Sequence, residues 1–243
     1  MPPVIHPKPT IGSPKEEVMK TRLIQSLVVL LALIALGGCA KKAVRPIFDI
    51  AKDGTPQEMQ KALDRAKGTN ANDLESGAGE TVLMYAAQFN KDPEVIEVLL
   101  KAGANLKTRD VDNERTALMW AAQSTTNPDV ITTLIKAGAD IKEADKDGFT
   151  PLMIAAENNT NPEVIARLVS LGADLEAKDQ NGFTALMEAA SKNHTPDVII
   201  ALLKAGAKAK TKNTKGYTAF DYAKANRSLD GTDALKQLEE ASK

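Results

Sequence analysis

The apolar residues of this chain are spaced as they are on the buried faces of short α-helices. After Pro162, four of them occupy positions i, i+1, i+4 and i+5: Val164, Ile165, Leu168 and Val169. Because an α-helix turns once in about 3.6 residues, this spacing places the four side chains on one stripe. The preceding apolar stretch from Thr150 to Ala156 predicts a shorter first helix of about two turns. The pattern therefore predicts a pair of short helices.

The same two-helix pattern recurs through most of the chain. Counterparts of the heptapeptide at Thr150 begin at Thr81, Thr116 and Thr184, and a degraded copy begins at Thr218, at intervals of 35, 34, 34 and 34 residues. Two further series keep almost the same step: Gly103, Gly138, Gly172 and Gly206, and Pro93, Pro128, Pro162 and Pro196. Self-similarity at this period is typical of repeat proteins, in which each unit packs against its neighbours.

Each predicted helix carries its own start signal. The first helix of a repeat follows a threonine such as Thr150, whose hydroxyl is suited to cap the helix. The second helix follows a cap residue, a proline and an acid: Asp92-Pro93-Glu94, Asn127-Pro128-Asp129, Asn161-Pro162-Glu163 and Thr195-Pro196-Asp197. The cap accepts from an unpaired backbone N–H, the proline has no N–H to satisfy, and the carboxylate lies at the positive helix end.

The combined pattern resembles the ankyrin repeat. That family's motif is T-P-L-x-x-A-A, then a second helix that ends in L-L-K-A-G-A, then a polar turn such as Q-N-G, and the resemblance spans about residues 46–243. It implies an all-α fold, a solenoid of stacked helix-turn-helix units joined by hairpin-like turns. We expect an N-terminal cap at 46–77, four full repeats at 78–213 and a C-terminal cap at 214–243, because end units cover the core on one side only.

Three features depart from the family's pattern. Methionines replace the usual histidine of the first helix, and we expect them to make flexible apolar contacts between repeats; they are Met84, Met119, Met153 and Met187. One extra residue between the two helices lengthens the period from the usual value of about 33. The turn from Val111 to Glu114 holds a further residue and places Glu114 where a glycine is usual, so we expect an irregular hairpin there.

A secretory signal is predicted before the repeats. Lys20 and Arg22 precede an apolar run over residues 27–38, and these 12 residues are fewer than the roughly 20 that span a bilayer. The run ends in Leu36-Gly37-Gly38-Cys39, which resembles the lipobox of bacterial lipoproteins. This resemblance implies a signal peptide at 19–38, lipidation of Cys39 and a linker at 39–45. The alternative is an uncleaved apolar anchor that contains a cysteine.

The residues on either side of this signal bear on where the protein starts and where it is sent. Secretory signals normally begin at the start codon, so we expect translation to start at Met19 and residues 1–18 to be a gene-model extension or disordered. Ala40 follows the cysteine, whereas an aspartate there tends to retain lipoproteins in the inner membrane of Gram-negative bacteria. We therefore expect a protein that is lipid-anchored to the outer membrane and faces the periplasm.

Charge narrows the classes of partner. Without residues 1–38 the chain has 27 basic and 30 acidic residues, a net charge of −3. This mild acidity argues against nucleic acid, which binds to concentrated basic faces. Five lysines still cluster late in the chain, either as a solvated surface or as a site for an anionic partner: Lys204, Lys208, Lys210, Lys212 and Lys215.

The side chains that catalysis usually requires are scarce. His194 is the sole histidine after residue 38, and Cys39 is the sole cysteine, so a histidine-based dyad or a multi-histidine metal site cannot be built. The chain also has no glycine-rich loop of the P-loop type. We predict no catalytic residue, cofactor, metal site or small-molecule substrate, and we interpret His194 as a polar turn residue.

The positions that vary between repeats supply the candidate binding surface. The residue before the repeated threonine is an arginine or an aromatic residue in four repeats: Arg115, Phe149, Phe183 and Tyr217. Such residues dominate the energetics of protein interfaces. A neighbouring polar row would complete a groove: Gln88, Gln123, Glu157 and Ser191. The alternative is that each ring packs over its own hairpin and covers the next.

Another row of side chains precedes the first repeated alanine: Tyr85, Trp120, Ile154 and Tyr222. We expect it to belong mainly to the core between repeats. The favoured function is that of a monomeric adaptor, held at the membrane through the lipid on Cys39, that binds a protein partner in its groove. The alternatives are an inhibitor or immunity protein that neutralises a periplasmic toxin enzyme, an accessory protein of envelope stress defence and, least favoured, an enzyme.

Overall fold

The computed structural model describes residues 45–66, 72 and 79–243. The predicted extension at 1–18, the signal peptide at 19–38, Cys39 and the linker up to residue 44 lie outside the described residues, as do 67–71 and 73–78 of the predicted N-terminal cap.

Twelve α-helices, one short 3₁₀-helix over Arg227–Leu229 and no β-strand make up the described part of the chain. The α-helices are α1 (Ile47–Asp53), α2 (Pro56–Arg65), α3 (Val82–Phe89), α4 (Pro93–Lys101), α5 (Ala117–Ser124), α6 (Pro128–Lys136), α7 (Pro151–Asn158), α8 (Pro162–Ser170), α9 (Ala185–Lys192), α10 (Pro196–Lys204), α11 (Ala219–Ala223) and α12 (Asp233–Ala241).

The helices form two layers in which each helix packs against its counterpart in the next repeat. The odd-numbered helices contact one another in sequence from α1 to α11, and the even-numbered helices do the same from α2 to α12. The paired alanines of the odd-numbered helices, such as Ala155 and Ala156, are fully buried, which permits close helix packing. The predicted all-α solenoid is therefore confirmed.

The repeated methionines fill the contacts between repeats. Met84, Met119, Met153 and Met187 are all at most 2% exposed. Because their side chains are long, unbranched and apolar, they fill irregular gaps in a core. Their burial agrees with the apolar packing that was expected, although the Met84 sulfur also accepts from the backbone N–H of Thr81 at 3.4 Å.

Most of the predicted helix caps are present. Thr81, Thr150 and Thr218 accept from a backbone N–H three residues ahead, whereas Thr116 and Thr184 make no such bond with a described residue. At the second helices, Asp92, Asn127 and Asn161 accept from the N–H two residues ahead: Glu94, Asp129 and Glu163.

The cap predicted for Thr195 is wrong. Thr195 has the same extended backbone as Asn161 but makes no side-chain cap bond with any described residue. The amide oxygen of asparagine stands one bond farther from the backbone than a threonine hydroxyl does. We infer that this extra reach is what brings Asn161 to the N–H two residues ahead.

Buried asparagines tie every repeat but one to the repeat before it, which the sequence analysis did not predict; the exception has Thr125 at this position. Four of them lie at the ends of odd-numbered helices or their counterparts: Asn90, Asn159, Asn193 and Asn226. Each Nδ2 donates to two backbone carbonyls of the preceding repeat; Asn159, for example, donates to Ala122 and Thr125 at 3.0 Å each. These bonds satisfy carbonyls that the helix end leaves unpaired.

The hairpin-like turns also contact one another directly. Adjacent turns are joined by backbone hydrogen bonds such as the one that the Thr214 N–H donates to the Asn181 carbonyl at 3.1 Å. Gly182 has a positive φ of 79°, and a Cβ there would lie 2.9 Å from the Thr214 nitrogen. The turn near Glu114 is irregular, as expected: the Asp110 N–H donates to the carbonyl of Arg115, five residues ahead, whereas the Asp145 N–H donates to the carbonyl of Phe149, four residues ahead. Glu114 nevertheless adopts a left-handed φ of 58°, as the glycines of the other turns do.

Candidate partner-binding groove

A groove of about 470 Å³ lies between the turns and the first helices of the third and fourth full repeats. Five of the eight predicted contact residues line it: Arg115, Phe149, Glu157, Phe183 and Ser191. Six residues that were not predicted also line it: Asp147, Asp179, Gln180, Asn181, Glu188 and Lys192. The other predicted residues, Gln88, Gln123 and Tyr217, lie outside this groove. The structure thus brings together the first three residues of the aromatic row and the last two of the polar row.

The predicted aromatic residues differ in how deeply their rings are buried. Phe149 and Phe183 are half-buried and pack against the core, and the Phe183 ring lies 4.8 Å from the ring of Tyr222 in the next repeat. Tyr217 is 51% exposed and makes an edge contact with Tyr222 at 6.0 Å. Phe183 therefore covers the next repeat, and both phenylalanines present their remaining surface to the groove.

Arg115 forms one end of the groove and is held in place on two sides. Its Nε lies 3.0 Å from Oδ2 of Asp145, and its Nη1 donates to Oε1 of Gln123 at 2.8 Å. The Asp145 side chain is 1% exposed, and its other oxygen accepts from the backbone N–H groups of Asp147 and Phe149. Arg115 thus neutralises the charge of the buried Asp145 carboxylate. Gln123 lies outside the groove but helps to hold the Arg115 side chain in place.

Glu188 is the most deeply buried of the charged groove residues that the sequence analysis missed. It occupies the row of Tyr85, Trp120, Ile154 and Tyr222, and it is only 2% exposed. A carboxylate in a row of aromatic and aliphatic residues is the signal that could have identified it. The row packs against the core as expected, although Tyr85, Trp120 and Tyr222 remain partly exposed.

In two other repeats, a polar residue of the turn forms a hydrogen bond with the residue of this row. The indole of Trp120 donates to Oδ2 of buried Asp110 at 2.8 Å, and the Tyr222 hydroxyl accepts from Asn213 at 2.7 Å. In the fourth repeat the corresponding turn residue is Asp179, a second carboxylate. Glu188 therefore has a neighbour of like charge where Trp120 has an acceptor for its N–H.

Lys192 links two carboxylates of neighbouring repeats. Its Nζ lies 2.9 Å from Oε1 of Glu157 and 3.1 Å from Oε2 of Glu188. Burial raises the pKa of Glu188, Lys192 partly opposes that shift, and the charges of Glu157 and Asp179 add to it. Burial lowers the pKa of Lys192, but the hydrogen bond to Glu157 and the charges of both glutamates outweigh this effect and leave that pKa raised.

The remaining charged and polar candidates lie away from the groove. The side chains of Lys204, Lys208, Lys210, Lys212 and Lys215 are exposed. His194 lies in the segment between α9 and α10, as predicted, and its Nδ1 is 2.7 Å from the hydroxyl of Ser228. Within residues 45–66, 72 and 79–243, no group of three or more His, Cys, Asp or Glu side chains is arranged to hold a metal ion.

Comparison with known protein families agrees with this repeat architecture. A family model described as ankyrin repeats (three copies) matches residues 47–145, 83–179, 124–213 and 152–242, which together span nearly all of the described chain. The chain belongs to the ankyrin-repeat family. Ankyrin repeats indicate a protein-protein interaction module, and their fold is typically a non-enzymatic scaffold. No curated protein matches the chain.

In the part of this ankyrin-repeat protein that the structure describes, no helix has both the length and the hydrophobicity needed to cross a bilayer.

Proposed function

We propose that this protein is a lipid-anchored interaction module of the bacterial envelope. Cys39 carries the acyl chains at the periplasmic face of the outer membrane, and the ankyrin repeats bind a protein partner through the groove. Membership of the ankyrin-repeat family supports the binding role. The lipobox-like residues 36–39, followed by Ala40, support the anchor and its destination.

One observation carries the binding role: side chains from neighbouring repeats converge on one groove. Phe149 and Glu157 belong to the third full repeat, and Phe183, Glu188 and Lys192 belong to the fourth. Aromatic residues and arginine are enriched at protein interfaces, and Phe149, Phe183 and Arg115 line this groove. Because the helices beneath them are fully packed, these side chains are presented on a rigid surface, which limits the entropy lost on binding.

A photocross-linking experiment in living cells tests the binding role. A benzophenone analogue of phenylalanine replaces Phe183, whose ring is half-buried at the groove, and in a control protein it replaces Lys136, which is exposed at the end of α6. We expect position 183 to capture a discrete partner that position 136 does not capture. The identity of that partner would separate an adaptor from an inhibitor or a stress-defence accessory. The same set of captured proteins from both positions would contradict the proposal.

The anchor is tested separately by following a labelled fatty acid. Since Cys39 is the only cysteine, Cys39→Ser removes the single lipobox acceptor. We expect the wild type to incorporate labelled palmitate and to sediment with membranes, and the variant to lose both properties. Label retained by the variant would overturn the anchor while leaving the binding role standing.

A further inference from the structure

The lining of the groove carries an excess of negative charge. Among the described residues, four carboxylates line it, from Asp147, Glu157, Asp179 and Glu188, against two cations, Arg115 and Lys192. Arg115 is already paired with Asp145, which lies beneath the groove. Lys192 is shared between Glu157 and Glu188. The groove therefore complements a partner surface of positive charge.

Glu188 adds a buried acceptor that is incompletely satisfied. Its Oε2 is buried and accepts no hydrogen bond from any residue that the structure describes. The ammonium of Lys192 is 3.1 Å away, within ion-pair distance but without hydrogen-bond geometry. Burying a polar atom without a hydrogen bond is costly, so a donor that reached Oε2 would be bound favourably.

Lys192 shows that a cation fits this environment. Its Nζ lies 5.5 Å from the centre of the Phe149 ring while it contacts Glu157 and Glu188. An aromatic face next to two carboxylates is an arrangement that attracts a cationic side chain, because the ring and the carboxylates both stabilise positive charge. A guanidinium is planar and carries five N–H donors, so it can stack on the ring and donate to both acids.

We propose that the groove binds a basic segment of the partner protein and inserts one of its arginine or lysine side chains between Phe149 and Phe183, against Glu157 and Glu188. This inference deepens the proposed function and rests on it. In the absence of the partner, Lys192 supplies the cation. The partner's side chain competes with Lys192 for the two glutamates and contributes the hydrogen bonds that Oε2 of Glu188 lacks.

The test uses the purified full chain in non-ionic detergent, with hexa-arginine as the probe and calorimetry as the measurement. Hexa-citrulline is the matched ligand, because citrulline has nearly the shape of arginine without its charge. We expect hexa-arginine to bind at least about tenfold more tightly than hexa-citrulline, and Glu157→Gln/Glu188→Gln to weaken it by about tenfold, equivalent to 1.4 kcal/mol. We expect Lys192→Gln to bind hexa-arginine more tightly than the wild type does, because the competing cation is gone.

The control variant removes two carboxylates elsewhere. Glu94→Gln/Glu163→Gln lowers the charge equally at two exposed positions of the second-helix layer, and it should bind hexa-arginine as the wild type does. Equal losses of affinity for hexa-arginine in the two double variants would show that the attraction depends only on total charge, and they would contradict the proposal. Absent binding of hexa-arginine, or a Lys192→Gln variant that binds it no more tightly, would also reject it. If cross-linking from position 183 still captured a partner, the binding role would stand, and only the proposal that the partner's segment is basic would be rejected.

Discussion

The side-chain nitrogen of Asn193 lies 2.8 Å from the backbone carbonyl oxygen of Ala156, 37 positions earlier in the chain. The same Nδ2 also donates to the carbonyl of Asn159 at 3.0 Å. One buried amide thus joins the ends of two neighbouring first helices. Asn90, Asn159 and Asn226 make the equivalent pair of bonds, and we call each of these four buried amides a rung.

Removing one rung should destabilise the array. In Asn159→Ala, the carbonyls of Ala122 and Thr125 lose their buried donor. We expect the free energy of unfolding to fall by about 2–3 kcal/mol, measured by urea denaturation followed by circular dichroism. Asn158→Ala is the neighbouring control, since Asn158 is exposed, and its effect should stay within about 0.5 kcal/mol. Similar losses in the two variants would contradict the role of the rung.

Restoring the missing rung should stabilise the protein. Thr125 occupies the position of the asparagines and has an almost identical backbone, with φ −62° and ψ 139° against −80° and 140° at Asn159. In Thr125→Asn, the new amide can donate to the carbonyls of Ala87 and Asn90. We expect a gain of about 1 kcal/mol, seen as a higher urea midpoint with an unchanged slope. A lower midpoint would show that the site cannot accept the amide.

Substituting two glycines should distinguish the cost of backbone strain from the cost of disturbing the contact between adjacent turns. Gly182 and Gly216 have nearly equal φ values of 79° and 82°, but only Gly182 is approached by a further turn. For Gly216→Ala, where no described atom lies within 4 Å of the new Cβ, we expect a loss of about 1 kcal/mol from the left-handed conformation alone. Gly182→Ala should lose at least about 1 kcal/mol more, because its Cβ meets the Thr214 nitrogen. Equal thermal stabilities would show that the turns separate without cost.

Glu188→Gln should stabilise the fold in a pH-dependent manner. Burial raises the pKa of Glu188 above its ordinary value of 4.5, so the folded state holds this proton more tightly than the unfolded state does. The wild type therefore loses stability as pH rises from 4.5 through the raised pKa, where Glu188 ionises. We expect Glu188→Gln to have the higher melting temperature at pH 7 and the difference to shrink as pH falls towards 4.5.

The control for this pH dependence is Glu163→Gln, because Glu163 is exposed at the start of α8. Because the Glu163 carboxylate lies at the positive end of α8, its removal should not raise the melting temperature at any pH in this range. A Glu188→Gln variant that is less stable than the wild type at pH 7 would show that the ion pair with Lys192 outweighs the cost of burial.

About half of the residues that line the groove could be predicted from the sequence. Phe149, Phe183 and Glu157 occupy repeat positions that vary, so the period alone placed them on one surface. Lys192 and Glu188 were missed because a lysine at a helix end usually serves that end, and because burial of a carboxylate depends on neighbours from other repeats. Tyr217 was placed in the same row by its position, but the groove ends at the fourth repeat.

The sequence by itself determined the period, the helix pairs and most of their caps, because these depend on residues within a few positions of one another. It also determined that the turn before Arg115 would be irregular, since this turn holds one residue more than the others. Only the tertiary structure decided that Asn193 bonds to Ala156 and that Lys192 is shared by Glu157 and Glu188. Those contacts join residues of different repeats, and they exist only where the stacking of whole units brings the side chains within hydrogen-bond distance.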